Sequence, residues 1–325
     1  MPDPVNQSQN IETDPPANQD SIKRGPGCFR WELGCLALLV IPFIFILGLM
    51  LSSGPQVVLA GTRQLGIDSN RAELSRQILE VAELVWPGSA GIHDALGQSY
   101  VKEDDMSAAT RQFSQAVELD PELAAAQNNL GVVLLQSNQA FQAIPHLKAA
   151  QDLDPGSAQV MLNLGRAQLA AGESAAALET AQRAAELEPQ RTEAWLLAGQ
   201  AALARKDHNQ AQTFFEKALQ LDAGYAPALM GMGVLLLEDW RTAESLNYLT
   251  AASQLQPQDP YPHLYLGIAY ERLADPERSQ IEFNQAAALN QDPTLNEIIQ
   301  THLSELDQFL PTVTPAEGGA PTQTP

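Results

Sequence analysis

The sequence is poor in cysteine and in aromatic residues. Its 325 residues include two cysteines, Cys28 and Cys35, and aromatic side chains make up 6% of the total. A single pair of cysteines does not supply the disulfide framework on which small secreted folds depend. Alternating segments rich in β-branched and aromatic residues, which would predict strands, are also missing. The composition, 45% hydrophobic with few aromatics, therefore favours helices.

Basic residues are scarce relative to acidic ones. The chain has 18 lysines and arginines against 39 aspartates and glutamates, which gives a formal net charge of -21. Between residues 56 and 310 the numbers are 15 and 33, so the acidity belongs to the region predicted to fold. Because lysine and arginine drive contacts with phosphate groups, we expect no nucleic-acid partner. Two interpretations remain open, a solvated surface and a field that steers basic partners.

Motifs that carry catalysis are missing as well. The sequence contains no G-x-S-x-G, no phosphate-binding loop and no C-x-x-C, and Gly231-Met232-Gly233 lacks the third glycine of a dinucleotide loop. The five histidines are His93, His146, His208, His263 and His302. We find no carboxylate or second histidine at ligand spacing on a face that they share. The sequence therefore predicts no metal site, no cofactor and no enzymatic activity.

What the sequence does contain is a pattern that recurs every 34 residues. Glycines stand at 97, 131, 165, 199, 233 and 267, and alanines at 116, 150, 184, 218, 252 and 286. Each unit holds two apolar stretches of helical period, separated by a polar turn. Pro121, Pro155, Pro189 and Pro257 restrict the residue before them and should end the second helix of their unit. The period therefore predicts stacked helical hairpins.

The first unit also carries Leu96-Gly97, Tyr100, Ala109, Phe113, Ala116 and Pro121. This spacing resembles the tetratricopeptide repeat (TPR) family. Six repeats follow from it: 90–123, 124–157, 158–191, 192–225, 226–259 and 260–293. The resemblance implies an all-α fold, a right-handed superhelical solenoid of helical hairpins, whose groove binds a peptide segment of a protein partner.

The segments around the repeats differ in composition. Residues 56–89 have the length of a repeat without its glycine and alanine, and we interpret them as a degenerate first repeat. Residues 294–310 place leucine and isoleucine along one helical face, which predicts a capping helix. Residues 1–32 and 311–325 are mostly polar or rich in proline, and we expect disordered tails there.

An uncharged apolar run occupies residues 33–51. Nineteen residues at about 1.5 Å each span roughly 28 Å, close to the thickness of the hydrocarbon core, so the run predicts one transmembrane helix. Lys23, Arg24 and Arg30 precede it, which favours a cytoplasmic N-terminus and extracytoplasmic repeats. A signal peptide cleaved before Gly61 and a buried soluble helix remain as alternatives.

The resemblance assigns the concave face to the first helices of the repeats. The predicted partner-binding residues are Asn128, Asn129, Val132, Leu135, Leu162, Asn163, Arg166, Leu196, Gln200, Leu203, Met230, Val234, Leu237, Tyr261, Leu264 and Ile268. Relatives that clamp a terminal carboxylate use several basic residues, whereas Arg166 is the one basic residue here and Asp94 would repel such a ligand. We therefore predict a membrane-anchored interaction scaffold that binds an apolar or amphipathic peptide. The alternatives are an assembly factor of a larger membrane complex, packing of these residues between repeats, and occupation of the groove by a second copy.

Overall fold

The structure is a computed structural model that describes residues 54–66 and 72–306. The chain divides into two compact units, residues 1–57 and 58–325, and nearly all of the first lies outside the described residues. The predicted transmembrane helix at 33–51 and the predicted tails at 1–32 and 311–325 also lie outside them. No helix within the described ranges is both long enough and apolar enough to cross a membrane.

The described residues form an all-α solenoid of fifteen helices, which confirms the predicted fold class at that level. Helices α1 and α2 span Pro55–Gly66 and Ala72–Val85, and α15 spans Pro293–Leu306. Between them lie six hairpins: α3 Ala90–Lys102 with α4 Met106–Leu119, α5 Ala124–Gln136 with α6 Ala140–Leu153, α7 Ala158–Ala170 with α8 Ser174–Leu187, α9 Thr192–Ala204 with α10 His208–Leu221, α11 Ala226–Glu238 with α12 Thr242–Leu255, and α13 Pro260–Arg272 with α14 Pro276–Leu289. The right-handed sense of the superhelix stays a prediction.

The turn inside each hairpin has one conformation in all six repeats. The fifteenth residue of the repeat has a positive φ: 62° at Asp104, 59° at Asn138, 79° at Gly172, 62° at Lys206, 61° at Trp240 and 57° at Ala274. The next backbone N–H then donates to the carbonyl five residues earlier, as from Gln139 to Leu134 at 2.8 Å. This is the hydrogen bond of a left-handed helix C-cap. It ends the first helix and reverses the chain.

Aspartate side chains start several of the second helices. Asp105, Asp207 and Asp275 accept hydrogen bonds from backbone N–H groups three residues later, at 2.8, 3.2 and 3.1 Å. Such N-caps satisfy donors that have no partner within the helix. The backbone N–H of Arg278 and its side chain together hold the pKa of Asp275 below its usual value.

The constant spacing of the glycines has a steric cause in the hairpin crossing. A Cβ added at Gly97 would lie 2.6 Å from Cε1 of Phe113, and one at Gly199 would lie 2.5 Å from Cε1 of Phe215. We number the residues of each repeat as places 1 to 34. Place eight is glycine because the side chain at place 24 occupies the space that a Cβ would need. Repeat three departs from this arrangement, since Ala181 stands at place 24 and Leu197 of the next repeat approaches Gly165 instead.

The hairpins stack through their first helices. Each of these helices packs on the second helix of the preceding hairpin and also contacts the first helix of the next one, whereas successive second helices make no comparable contact in the described ranges. The first helices therefore line one common face of the stack, which we call the inner face. The cores lie between the two helix layers and are rich in alanine, with Phe113, Phe215 and Phe283 as the largest fully buried side chains.

Additional helices cover both ends of the stack. At the N-terminal end, Ser75 of α2 donates to the carbonyl of Thr62 in α1 at 3.1 Å, and Leu79 is 2% exposed. At the C-terminal end, Leu295 and Ile299 of α15 pack in one core with Phe283. The helix predicted at 294–310 starts one residue earlier, at Pro293, and its described part ends at Leu306.

Candidate binding face

The inner face of repeats one to three is built around a chain of hydrogen bonds. Asn129 donates to Asp94 at 2.9 Å, and Asn163 donates to Asn128 at 2.8 Å, each time from one first helix to its neighbour. Gln98 donates to the second oxygen of Asp94 at 2.8 Å, and Gln159 donates to Asn163 at 3.1 Å. We call these six residues the polar ladder. Its amides bond to one another and to the Asp94 carboxylate, which occupies part of the hydrogen-bonding capacity that reading a peptide backbone would need.

The polar ladder also identifies which repeat places meet between neighbouring first helices. Its two cross-helix bonds both join place five of one repeat to place six of the next. In repeats four to six the same places carry Leu196, Met230 and Leu264 at place five, and Leu197, Gly231 and Tyr265 at place six. The C-terminal half of the inner face is therefore apolar where the N-terminal half is hydrogen-bonded.

The predicted partner-binding residues differ in accessibility. Arg166 and Tyr261 are exposed. Ten others are half-buried: Asn128, Asn129, Val132, Leu135, Leu196, Gln200, Leu203, Met230, Val234 and Ile268. The exposed and half-buried residues all belong to the first helices, as the sequence pattern predicted. Asn163 is buried within the polar ladder, at 8% exposure.

Three more of the predicted residues are core residues, so they do not belong to the accessible part of the inner face. Leu162, Leu237 and Leu264 are 0%, 3% and 5% exposed and pack in three separate cores. Each stands on a first helix, but its side chain points toward the second-helix layer or the neighbouring repeat. Helical spacing alone did not separate these directions, because apolar residues occur on both sides of these helices.

Place nine is the part of the first helix that stays accessible throughout the array. Gln98 and Arg166 are exposed there, and Val132, Gln200, Val234 and Ile268 are half-buried. In the last two repeats this place is aliphatic, next to Met230 at place five and Tyr261 at place two. We define the apolar face as Leu196, Leu203, Met230, Val234, Tyr261 and Ile268.

Ionisable groups near the inner face are mostly acidic. Glu193, Glu238 and Glu271 stand on the same first helices as the apolar face, and each already has a basic or histidine neighbour: Arg191 at 3.7 Å, Lys206 at 3.0 Å and His302 at 2.9 Å. Tyr265 packs against the same core as Met230 and Ile268, and burial, with smaller contributions from Tyr261 and Glu238, raises the pKa of its hydroxyl. On the other side of the hairpins, burial lowers the pKa of His146, whose Nδ1 lies 2.9 Å from Oε1 of Gln127.

The prediction that no histidine shares a helix face with a carboxylate at ligand spacing was wrong for His302. His302 and Glu305 stand three residues apart on α15, so they share a face, and Glu271 of α13 lies beside them. One potential ligand atom from each residue lies within 4.8 Å of the other two. The i, i+3 spacing on α15 could have been found in the sequence, but the approach of Glu271 depends on stacking.

Comparison with known families supports the tetratricopeptide repeat assignment. Models described as tetratricopeptide repeats match residues 95–158, 134–201 and 192–225. A comparison with curated proteins gives no match.

Solved structures share the fold at low sequence identity. The chain is similar to a tetratricopeptide repeat protein from Parabacteroides merdae ATCC 43184, with 11% identity, a TM-score of 0.66, and coverage of 78% of this chain and 98% of that one. It is also similar to pilF of Pseudomonas aeruginosa, with 21% identity, a TM-score of 0.52, and coverage of 65% and 96%. A thermophilic TPR protein of Thermus thermophilus has 18% identity, a TM-score of 0.52, and coverage of 56% and 99%.

Proposed function

We propose that this chain is a protein–protein interaction scaffold that binds an amphipathic peptide segment of a partner on the apolar face. The observation that carries the proposal is the change in the inner face between repeats three and four. Up to that point polar side chains bond across neighbouring first helices, and beyond it the same places are apolar and adjoin the half-buried aliphatic side chains of Val234 and Ile268. Contiguous apolar surface on a folded domain commonly marks a contact with another molecule.

The chemistry of the apolar face favours one kind of ligand. Affinity there comes from burial of aliphatic and aromatic side chains, at roughly 25 cal/mol for each Å² removed from water. The thioether of Met230 suits a surface that adapts to different side-chain shapes. Because the folded region has an excess of acidic residues, we propose that the peptide presents lysine or arginine beside its apolar anchors.

The proposal is tested by comparing place nine in the two halves. A photo-crosslinking amino acid at residue 234 should trap a partner in cells, whereas the same group at residue 132 should not. The trapped peptide, identified by mass spectrometry and synthesised, should bind the purified chain, and Val234→Glu with Ile268→Glu should reduce its affinity by at least about tenfold through the cost of burying charge.

A matched variant controls for general effects on folding. Val132→Glu makes the same substitution at place nine of repeat two, so it should leave both the affinity and the helical circular dichroism unchanged. Equal crosslinking at residues 132 and 234 would contradict the proposal. So would an affinity that Val234→Glu with Ile268→Glu does not change while both variants stay folded.

We also propose that the scaffold is attached to a membrane by residues 33–51, with its N-terminus in the cytoplasm and the repeats on the other side. This proposal is supported by the uncharged run and the basic residues before it, which lie outside the described part of the chain. Intact-mass measurement of the membrane fraction tests it. A chain that begins at Gly61 would contradict the anchor, and repeats that protease cannot reach in right-side-out vesicles would contradict the orientation.

A further inference from the structure

Glu271, His302 and Glu305 form a cluster where the last repeat meets α15. Glu271 is the twelfth residue of its repeat, near the end of α13, and the other two lie one helical turn apart on α15. Oε2 of Glu271 lies 2.9 Å from Nδ1 of His302, and one ligand atom of Glu305 lies within 4.8 Å of both neighbours. The three side chains thus converge from two helices that are not consecutive in the chain.

The histidine of this cluster has an unusual environment. Its Nδ1 is buried and makes an ion-pair contact of 2.9 Å with Oε2 of Glu271, which lacks the geometry of a hydrogen bond within the described residues. The imidazole ring stacks on Phe283 with centroids 4.9 Å apart and planes at 13°, which fixes the ring at the end of the core. The nitrogen and the carboxylate oxygen therefore lie at about the separation that two ligands of one cation adopt.

The space next to the cluster can accommodate an ion and water. Glu271 and Glu305 line a cavity of about 350 Å³ together with Ala274, Pro276 and Leu306. The two carboxylates lie on this cavity without an arginine or lysine among the described residues that line it. A cation between them would offset their repulsion.

We propose that Glu271, His302 and Glu305 bind a divalent transition-metal cation of the zinc class. One imidazole nitrogen and two carboxylate oxygens are ligands that Zn²⁺ accepts, with water in the remaining position. Two ligand atoms at about 2.1 Å from a tetrahedral ion lie roughly 3.4 Å apart, so small rotations of the exposed Glu305 side chain complete the site. Mg²⁺ and Ca²⁺ prefer oxygen ligands, so the nitrogen disfavours them.

The consequence of binding is structural. The ion would join α15 to α13, which α15 otherwise reaches through the core around Leu264, Leu295 and Ile299. A solenoid depends on its terminal units to cover the last apolar face, and these units open most easily. A bound cation would therefore hold the cap closed and protect that end of the array.

The experiment uses the full-length chain, purified with a tag that lacks histidine and stripped of metal with a chelator. Zn²⁺ is titrated in competition with a chromophoric indicator. The wild-type chain should bind one ion, and both His302→Gln and Glu305→Gln should weaken binding at least about tenfold, since even outer partners of a metal site change affinity by that factor. Zn²⁺ should also raise the Tm of the wild-type chain and slow hydrogen exchange in α15.

His263 supplies a matched control. Its Nδ1 lies 2.7 Å from Oε2 of Glu282, so it has one carboxylate partner but no third ligand within the described residues. His263→Gln should leave zinc affinity unchanged. Wild-type affinity in both His302→Gln and Glu305→Gln would overturn the proposal, and so would equal losses from His263→Gln, or a wild-type chain that binds no stoichiometric zinc. Because Glu305 is exposed, Glu305→Gln keeps the test informative if His302→Gln does not fold.

Discussion

The N-terminal and C-terminal halves of the array share one frame but present different inner faces. In repeats one to three, Asp94, Asn128, Asn129 and Asn163 bond across neighbouring first helices. In repeats four to six, the same places carry leucine, methionine, glycine and tyrosine. The comparison shows that places five and six tolerate either chemistry, provided that the two partners across the helix interface change together.

The two halves also differ in the residue types that occupy the left-handed place of the hairpin turns. Asp104, Asn138 and Gly172 occupy the left-handed place in the first three repeats, and these residue types adopt a positive φ most readily. Lys206, Trp240 and Ala274 occupy it in the last three. Trp240 is 79% exposed, and the guanidinium carbon of Arg272 lies 4.9 Å from its ring centroid. The C-terminal half therefore keeps backbone strain that the N-terminal half avoids.

The largest loss of stability should come from adding a side chain at the repeat glycines, and it should be the same in both halves. Gly97→Ala and Gly199→Ala each place a Cβ against a buried phenylalanine, so each should lower the free energy of unfolding by about 1 to 3 kcal/mol through overpacking. Urea unfolding followed by circular dichroism measures it. Gly61→Ala is the control, because no atom of the described residues outside its own helix backbone lies within 4 Å of the added Cβ, and alanine favours the helix. A neutral Gly199→Ala beside a costly Gly97→Ala would show that the crossings are not equivalent.

The polar ladder offers a way to convert one half into the other. Asn163→Leu removes the donor to Asn128 and the acceptor for Gln159, so it should cost about 1 to 2 kcal/mol. Adding Asn128→Leu should recover part of that loss, because both partners of the cross-helix bond are then apolar, as in repeats four to six. A double-mutant cycle from urea unfolding measures the coupling. Strict additivity would mean that the ladder does not act as a unit.

The smallest effect should be a gain in stability from placing glycine at the left-handed turns, and the gain should be larger in the C-terminal half. Ala274→Gly relieves the steric cost of a positive φ, so it should raise the free energy of unfolding by about 1 kcal/mol. Asn138→Gly should gain less, because asparagine already tolerates this conformation. Thermal unfolding of the two variants gives the comparison. If Asn138→Gly stabilised the array as much as Ala274→Gly, residue type would not explain the difference between the halves.

Much of the fold could be predicted from the sequence because each repeat obeys local rules. The phase of Gly97 and its five equivalents indicated the hairpins, and the helical period indicated which helix of each pair comes first. The inner face was harder to predict. Leu162, Leu237 and Leu264 were assigned to it because they stand at the expected places, yet they are buried in cores. A helix in the middle of a solenoid buries most of its circumference, so its apolar pattern does not mark a single face.

Contacts between residues 19 apart in the sequence also separate what the repeat period predicts from what the packing decides. Places four and 23 meet in several hairpins: His93 with Gln112 at 2.7 Å, His146 with Gln127 at 2.9 Å, Trp195 stacked on Phe214 at 6.2 Å, and His263 with Glu282 at 2.7 Å. The spacing of 19 residues is constant, while the chemistry changes from one repeat to the next. The period indicates where two residues meet, and the three-dimensional packing decides how they interact.

The sequence by itself determined the helical class, the 34-residue unit and the order of the helices, because these depend on hydrogen bonds and side-chain spacing within a few turns. Only the tertiary structure decided which side chains of the first helices reach solvent and which polar residues bond across repeats. The tertiary structure also placed Glu271 beside His302 and Glu305. Those outcomes depend on how far one repeat rotates against the next, and that rotation is set by the shapes of all the packed side chains together.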